Sequence, residues 1–272
     1  MSFSEHWLAL RQHADSSARA DVLAQAAADW LQRHGTPDRT LYMDLGSGSG
    51  ANWLHLAPLL SAHRQWLLVD NDAALLANAQ TRCAAGTSVR TQRSDLASQL
   101  STLPWDQVAL VSASALLDLV SQSWLEQLAA LAAAANVPLL CALSYDGRLV
   151  LQKADIDDEW LRAAVNAHQQ GNKGFGPALG PDATQVAAEL LRDRHYWVGT
   201  HDSDWQLNAA DARDAALLRP LIEGWAEAAA EQVPAEAQRA SDWAARRLAC
   251  VARGELQVTV GHKDLLALPA PH

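Results

Sequence analysis

The sequence contains no run of lysines or arginines. Its 21 Lys and Arg residues are outnumbered by 31 Asp and Glu residues, which gives a formal net charge of −10. Proteins that bind nucleic acids neutralise phosphates with clustered Lys and Arg side chains. An acidic chain without such a cluster is therefore not expected to act on a nucleic acid.

Cysteine is also scarce, and Cys83, Cys141 and Cys250 lie far apart. They form neither a Cys-x-x-Cys pair nor a cluster with histidines, so the sequence predicts no metal site and no disulfide framework. No apolar run reaches the roughly 18 residues that span a bilayer, and the N-terminal segment lacks the basic and apolar regions of a signal peptide. We expect a cytoplasmic protein with reduced thiols and no membrane partner.

The sequence does contain short apolar segments that alternate with helix-forming segments. Strands are predicted at 41–45, 65–70, 88–92, 107–112, 137–143, 196–200 and 255–261. This alternation predicts a doubly wound α/β sheet whose ligands bind beyond the carboxyl ends of its strands. The period-two pattern of the last strand indicates an antiparallel end of the sheet. A length of 272 residues suits one large domain of this kind.

The most informative segment is Leu41–Gly50, in which a strand runs into a turn with glycine at every second position. Glycine has no Cβ, so a ligand can lie against the main chain beside the next helix. Asp44 precedes the turn and would repel a pyrophosphate, whereas it suits the cationic sulfonium and amino groups of S-adenosylmethionine. The pattern Gly46-x-Gly48-x-x-Ala51 also satisfies the relaxed nicotinamide fingerprint, so the turn alone leaves both ligands open.

Acidic residues also follow the second and third predicted strands. Asp70 ends the second strand, where a carboxylate can accept hydrogen bonds from ribose hydroxyls. Asp95 follows the third strand and either helps to hold an adenine amino group or caps the next helix. Three acids and one glycine turn, all in register with predicted strand ends, are far more specific than any one of these features.

With these residues in this order, residues 38–147 resemble the class I S-adenosylmethionine-dependent methyltransferases, and the glycine turn is similar to their motif I. The resemblance implies a Rossmann-like, doubly wound, mostly parallel seven-stranded sheet with an antiparallel final strand. It also implies S-adenosylmethionine as the cofactor. The cofactor-binding residues that it implies are Asp44, Gly46, Ser47, Gly48, Asp70, Asn71, Asp95, Leu96, Ser112 and Ala113.

The acceptor is predicted to be a small molecule. After the fourth strand the chain has Ser112-Ala113-Ser114 in place of the Asn/Asp-Pro-Pro-aromatic motif of many enzymes that methylate bases. A nicotinamide-dependent oxidoreductase and a non-catalytic S-adenosylmethionine-binding protein are the alternatives. The chain is expected to be a monomer or a homodimer.

The flanking regions are predicted to cover the ligand site. Residues 1–36 form a helical cover, followed by a methyltransferase domain at 37–272 that carries an insertion at 148–182. Glycines and prolines in 168–181 predict a mobile lid, with a disordered linker as the alternative.

Three residues are the catalytic candidates, because a protonated acceptor needs a general base. Asp118 lies in an apolar loop after the fourth strand, and Tyr145 follows the fifth strand. His168 is of the residue type that transfers protons near neutral pH. Loop anchoring by Asp118 and a structural role for His168 are the alternatives.

The candidate substrate-binding residues are Trp7, Arg11, Arg148 and Lys173. Trp7 and Arg11 begin a stripe of residues four apart on the first predicted helix, which suits a planar or anionic molecule. A solvated ladder of salt bridges along that helix is the alternative. Arg148 and Lys173 are cations that suit a carboxylate or phosphate of a substrate.

Overall fold

A computed structural model describes residues 5–61, 64–82 and 88–270. The helices are α1 (Glu5–Ala18), α2 (Asp21–His34), α3 (Ala51–Leu56), α4 (Ala73–Arg82), α5 (Leu96–Gln99), α6 (Gln122–Ala135), α7 (Asp158–Gln169), α8 (Ala183–Arg192), α9 (Ala212–Gln232) and α10 (Ala237–Ala252). The strands are β1 (Leu41–Leu45), β2 (Gln65–Asp70), β3 (Val89–Arg93), β4 (Val108–Ser114), β5 (Leu139–Leu151), β6 (Tyr196–Asp202), β7 (Trp205–Asn208) and β8 (Gln257–Pro269). Cys83 lies outside the described residues, and so does Ser2, which with Glu5 forms a capping-box pattern in the sequence.

The strands form one eight-stranded sheet in the order β3-β2-β1-β4-β5-β8-β6, with β7 paired to β8 beside this path. Strands β1 to β5 pair in parallel, and β8 runs antiparallel to β5, β6 and β7. The predicted doubly wound, mostly parallel sheet with an antiparallel final strand is confirmed. The four-residue strand β7 was not predicted, because so short an element has too few residues to show a period.

The central strands are buried on both faces, as parallel strands flanked by helices usually are. Leu41, Met43 and Leu45 of β1 face one hydrophobic cluster, which includes residues of α6 and α8. Tyr42, between them, faces a second cluster that includes Leu31 of α2 and residues of α3 and α4. Side chains that alternate between two covered faces explain why the strand reads as a continuous apolar run.

The fifth strand is longer than predicted, and its additional residues contribute to a third hydrophobic cluster. It continues to Leu151 rather than ending at 143, through register irregularities on either side of Ser144 and Tyr145. Leu143 and Gly147 have positive φ values of 55° and 86° there. The extended ends of β5 and β8, with β7, carry a third hydrophobic cluster against α1, α7, α9 and α10. The glycine at 147 therefore lies within an irregular strand and not in a turn that ends it.

One other predicted boundary is wrong. The capping-box pattern Ser123-x-x-Glu126 predicts that the helix begins at Ser123, after a loop at 113–122. In the structure α6 begins at Gln122 and is capped by Ser121, whose side chain accepts a hydrogen bond from the Trp124 main chain, and β4 extends to Ser114. Within the predicted insertion at 148–182, residues Asp158–Gln169 form helix α7, whose apolar side is buried in the third cluster.

The N-terminal region forms two helices that break at Arg19 and Ala20. The Ala20 main-chain N–H donates to the Asp264 carboxylate of β8 at 2.9 Å, and this carboxylate also accepts a bond from the Leu143 main chain at 2.7 Å. A buried Asp264 thus ties the α1–α2 junction to the carboxyl edge of the sheet. No helix in the described part of the chain is long and apolar enough to cross a membrane.

Candidate active site

A cavity lies at the carboxyl edge of the sheet, where the turns after β1, β2, β3 and β4 meet. Its floor comes from 46–49, 51–52, 70–72, 94–97 and 114–116. Leu8, Arg11, Asp15 and Arg19 of the α1 region border it, and so do Lys173, Gly174 and Phe175 of the glycine-rich segment. Elements that are distant in sequence therefore enclose one space, as expected for a doubly wound sheet.

The glycine turn after β1 forms the centre of the floor. Gly46, Gly48 and Gly50 have φ values of 63°, 51° and 81°, a left-handed conformation that favours glycine. The Gly48 N–H donates to Asp70 Oδ2 at 2.8 Å, so the acid after β2 fixes the turn. The hydroxyl of Ser47 is buried in this wall and has no hydrogen-bond partner among the described residues.

The acids after β2 and β3 both border the cavity and both also stabilise main chain. Asp70 accepts a second bond from the Asp72 N–H at 2.9 Å. Asp95 caps α5, because it accepts a bond from the Ala97 N–H at 3.1 Å, so the predicted capping role is present. Asn71 and Leu96 border the same space. Each carboxylate retains acceptor capacity for a ligand, since an ionised carboxylate has about four lone-pair sites.

Asp44 lies behind the cavity wall and does not border it. Its carboxylate is fully buried and accepts bonds from Asn52 Nδ2 at 2.5 Å and Ser112 Oγ at 2.7 Å. Burial raises the pKa of Asp44 to about 6, against the lowering effect of these two bonds. Its Oδ2 atom has no partner among the described residues. Ser112 and Ala113 are buried in β4 and do not border the cavity either.

Arg19 connects the N-terminal region to this network. Its guanidinium donates to Asn52 Oδ1 at 2.5 Å and to Ser114 Oγ at 2.9 Å, both uncharged groups. Burial lowers the pKa of Arg19, opposed by the nearby Asp15, Asp264 and Asp44 carboxylates. Arg19 therefore presents a partly buried cation at the cavity, held in place by neutral partners.

The predicted stripe on α1 divides between two surroundings. Arg11 borders the cavity and forms a two-pronged ion pair with Asp15, at 2.9 and 3.1 Å, while its guanidinium lies 5.1 Å from the Trp205 ring centre. Trp7 instead borders a separate groove against α9 and packs on the third hydrophobic cluster. The structure therefore does not bring Trp7 to the cavity.

The glycine-rich segment after α7 closes one side of the cavity. Phe175 forms an isolated bridge with Val120 and packs edge-on against Trp124, with ring centres 5.5 Å apart. The Leu179 N–H donates to the Val120 carbonyl at 2.9 Å. This segment is thus attached to the loop after β4, which also borders the cavity.

Of the predicted catalytic and substrate residues, only Arg11 and Lys173 border the cavity. Lys173 Nζ donates to His168 Nδ1 at 3.4 Å, and His168 Nε2 donates to Glu231 at 2.9 Å. His168 therefore contacts the cavity residue Lys173 but does not itself border the cavity. Burial lowers the pKa of the Lys173 ammonium. Arg148 donates to Asp146 and Asp204 at 2.7 Å each, and it is not directed at the cavity.

Asp118 and Tyr145 do not border the cavity. Asp118 is buried, accepts a main-chain bond from Tyr145, and has one carboxylate oxygen without a partner among the described residues. Burial raises the pKa of Asp118 to about 6. The Tyr145 hydroxyl donates to Asn166 at 2.8 Å, and burial raises the pKa of this phenol. The predicted loop-anchoring role of Asp118 is therefore present in the structure.

The chain has the Rossmann-like, doubly wound sheet with an antiparallel final strand that its resemblance to class I methyltransferases implies. No protein-family model matches it, and no curated protein matches it. Among solved structures it is similar to the YcgJ protein from Bacillus subtilis, with 12% identity over 90% of this chain and 98% of that chain and a TM-score of 0.49.

Two methyltransferase structures are also similar to this chain. One is precorrin-6y C5,15-methyltransferase from Geobacter metallireducens, with 10% identity over 90% of this chain and 87% of that chain and a TM-score of 0.45. The other is geranyl diphosphate C-methyltransferase from Streptomyces coelicolor, solved with S-adenosyl-L-homocysteine, with 13% identity over 89% of this chain and 76% of that chain and a TM-score of 0.44.

Sequence analysis did not include Arg19, Asn52 and Ser114 among the candidate site residues, although all three border the cavity. Asn52 carried no signal, because its partner Asp44 is identified only after β1 and α3 are placed in space. Arg19 did carry a signal, since it lies four residues after Asp15 and continues the stripe of residues four apart that begins at Trp7 and Arg11.

Proposed function

We propose that this chain is an S-adenosylmethionine-dependent methyltransferase that acts on a small molecule. The observation that carries the proposal is the cavity itself, in which the glycine turn, Asp70, Asp95 and Arg19 border one space. The buried Ser47 hydroxyl, which borders the cavity and has no partner among the described residues, is a polar atom that a bound ligand could satisfy. The residues present therefore fit this cofactor.

The roles of the cofactor residues follow from their positions. The main chain of Gly46, Ser47 and Gly48 would hold the methionyl end, and Asp70 the ribose hydroxyls, with Asn71 beside it. Asp95 and Leu96 would border the adenine. We assign the methionyl carboxylate to Arg19, whose guanidinium is a cation at the cavity with neutral hydrogen-bond partners, Asn52 and Ser114, among the described residues. Asp44, Ser112 and Ala113 would act indirectly, by holding Asn52 and β4 behind the turn.

A nicotinamide dinucleotide suits this cavity less well. Its pyrophosphate would approach the main-chain N–H groups of the glycine turn, where the Gly48 N–H already donates to Asp70. Asp15, Asp70, Asp72 and Asp95 all border the cavity and would oppose a doubly charged phosphate group. The same carboxylates are compatible with a ligand that carries a sulfonium and an amino group.

When bound, S-adenosylmethionine supplies a methyl group already activated by the positive sulfur. The chain must then align the acceptor and exclude water. We assign this task to α1, the loop after β4 and the segment 168–181, with residues 1–36 as a cover of the 37–272 domain and 148–182 as its insertion. Arg11 and Lys173 would contact the acceptor. A cytoplasmic location is part of the same proposal.

The predicted catalytic residues act indirectly in this proposal. His168 would orient the Lys173 ammonium toward the acceptor, because it accepts from Lys173 and donates to Glu231. Asp118 and Tyr145 would position the loop after β4 against β5. Arg148, saturated by Asp146 and Asp204, would hold the extended ends of β5 and β8 together.

The first test is calorimetry with S-adenosylhomocysteine and NAD. We expect binding of S-adenosylhomocysteine alone. Asp70→Asn should weaken it by about 1.5–3 kcal/mol, the range for hydrogen bonds to charged groups. Asp106→Asn, an equal charge change at an exposed residue outside the cavity, is the control and should leave affinity unchanged. Tight NAD binding without a response to S-adenosylhomocysteine would overturn the proposal.

The second test separates the methionyl and nucleoside contacts. Arg19→Gln should weaken S-adenosylhomocysteine at least about tenfold, because it removes a charged partner of the carboxylate. The same variant should bind 5′-methylthioadenosine, which lacks the amino-acid group, as the wild type does. Asp70→Asn should weaken both ligands. Equal losses of both ligands in Arg19→Gln would contradict the assignment of Arg19.

A further inference from the structure

A second pocket lies at the opposite, amino-terminal edge of the sheet. Trp30, Arg33 and His34 from the end of α2 border it, together with Arg39 before β1 and Arg64 before β2. Its volume is about 400 Å³, within the range of small-molecule sites. The last turn of α2 and the segments before β1, β2 and β5 thus border a space that the proposed methyl-transfer site does not use.

This pocket is basic although the chain is acidic. Three arginines and a histidine border it, and no Asp or Glu of the described chain does, while the formal net charge of the protein is −10. Arg33 and Arg39 donate to main-chain carbonyls, of Asp29 at 3.0 Å and of Val108 at 3.2 Å. Within the described ranges, none of the three arginines forms an ion pair with a carboxylate.

Arg64 is the most informative of the three. Its guanidinium lies 5.7 Å from the Tyr42 ring centre, which holds the planar group in one orientation. Its Nη1 atom is buried and has no hydrogen-bond partner among the described residues. A Cβ on Gly35 would lie only 2.7 Å from Arg64 Nη2, so glycine at 35 leaves room for the guanidinium. A buried guanidinium nitrogen without an acceptor points to an anion that completes it.

We infer that this pocket binds a small molecule that carries a phosphate group. Guanidinium forks match phosphate oxygens in pairs, and three of them around one space favour a multiply charged anion over a single carboxylate. The Trp30 and His34 rings, with centres 5.4 Å apart at the rim, offer a surface to the remainder of the ligand. The site is independent of the proposed methyl transfer, because it lies at the other edge of the sheet.

The test is calorimetry with inorganic pyrophosphate as the probe, at low and at moderate salt. We expect saturable binding that weakens with salt. The double variant Arg33→Gln/Arg64→Gln should reduce affinity at least about tenfold, in line with the loss of charge-assisted bonds. The matched control is Arg90→Gln/Arg192→Gln, the same charge change at two exposed residues outside the pocket.

Several results would overturn the inference. These are absence of pyrophosphate binding, equal losses in the two double variants, or tighter binding of citrate than of pyrophosphate. The circular dichroism spectrum should be the same in all variants, which checks that the proteins are folded. If the double variant does not fold, Arg33→Gln alone, at an exposed residue, should still weaken pyrophosphate and leave unfolding unchanged.

Discussion

At the scale of single residues, two neighbouring arginines of α10 make similar ion pairs at very different depths. The Arg247 side chain is 3% exposed and donates to Asp158 and to the Lys153 carbonyl, at 2.8 Å for the latter. The Arg246 side chain is 43% exposed and pairs with Asp155 and Asp157 at 2.7 Å each. Both arginines join α10 to the start of α7, and the exposed Arg246 has more carboxylate partners than the buried Arg247.

We expect depth to decide the cost of removing each charge. Arg247→Met should lower the free energy of unfolding by about 3–5 kcal/mol, because it leaves a partly buried carboxylate without its cation. Arg246→Met should cost at most about 1 kcal/mol, since water screens an exposed pair. Urea unfolding of the two variants compares them directly, and equal losses would show that burial is not the controlling factor.

At the scale of elements, the glycine-rich segment after α7 is attached to its surroundings at one end more than at the other. Phe175 and Leu179 contact the loop after β4. Gly174, in contrast, has a φ of 105° and no heavy atom near the position of a Cβ. Gly174 and Lys173 border the cavity. The segment can therefore move about its attachment to the loop after β4.

Hydrogen exchange should reveal this movement. Amides of residues 171–174 should exchange more slowly when S-adenosylhomocysteine and an acceptor are bound, because the closed segment then loses contact with water. The Leu179 amide, bonded to Val120 in this structure, is the internal control and should change little. Identical exchange at 171–174 with and without ligands would remove the lid from the proposal.

At the scale of the whole molecule, three buried titratable groups make stability depend on pH with opposite signs. Burial and, to a lesser extent, the nearby Arg11 lower the pKa of His262, which packs between Trp205 and Tyr145, to about 4. Burial raises the pKa values of Asp44 and Asp118 to about 6. The folded protein thus resists protonation of the histidine and favours protonation of both acids.

The His262→Gln variant separates the contribution of His262 to the pH dependence of stability from those of Asp44 and Asp118. Below about pH 6.5 the unfolded chain protonates the histidine and the folded chain does not until about pH 4, so His262 removes stability as the pH falls through this window. The wild type should therefore lose about 2–3 kcal/mol relative to His262→Gln between pH 7 and 4. Protonation of Asp44 and Asp118 stabilises the wild type and the variant equally as the pH falls, so their contributions cancel in the difference between the two proteins. The exposed His6→Gln variant should behave as the wild type, and a flat difference for His262→Gln would contradict the assignment.

Much of the sheet could be predicted because its signals are local. Apolar runs that end in Asp44 and Asp70, and the glycine turn between them, identify β1, β2 and their connection from neighbouring residues alone. The prediction was wrong where tertiary contacts override local signals. β5 continues past 143 because antiparallel pairing with β8 carries it across two irregularities, and α7 forms because α9 and the third cluster bury its apolar side.

The candidate site shows the same division. Its glycines and the acids at 70 and 95 follow directly from chain positions at strand ends, and the structure brings them to one cavity. Which charges actually face that cavity depended on packing. Arg19 and Arg11 border it, whereas Trp7 packs on α9 and Arg148 is held by two aspartates.

The sequence by itself therefore determined the fold class. It also determined that glycines and acidic residues lie at the carboxyl edge of the sheet, because strand periodicity and glycine turns depend on only a few neighbouring residues. The tertiary structure alone decided which distant side chains meet. It buried Asp44 behind Asn52, placed His168 behind Lys173, and collected three arginines at the opposite edge. These outcomes depend on contacts between residues far apart in the chain, and no local pattern specifies them.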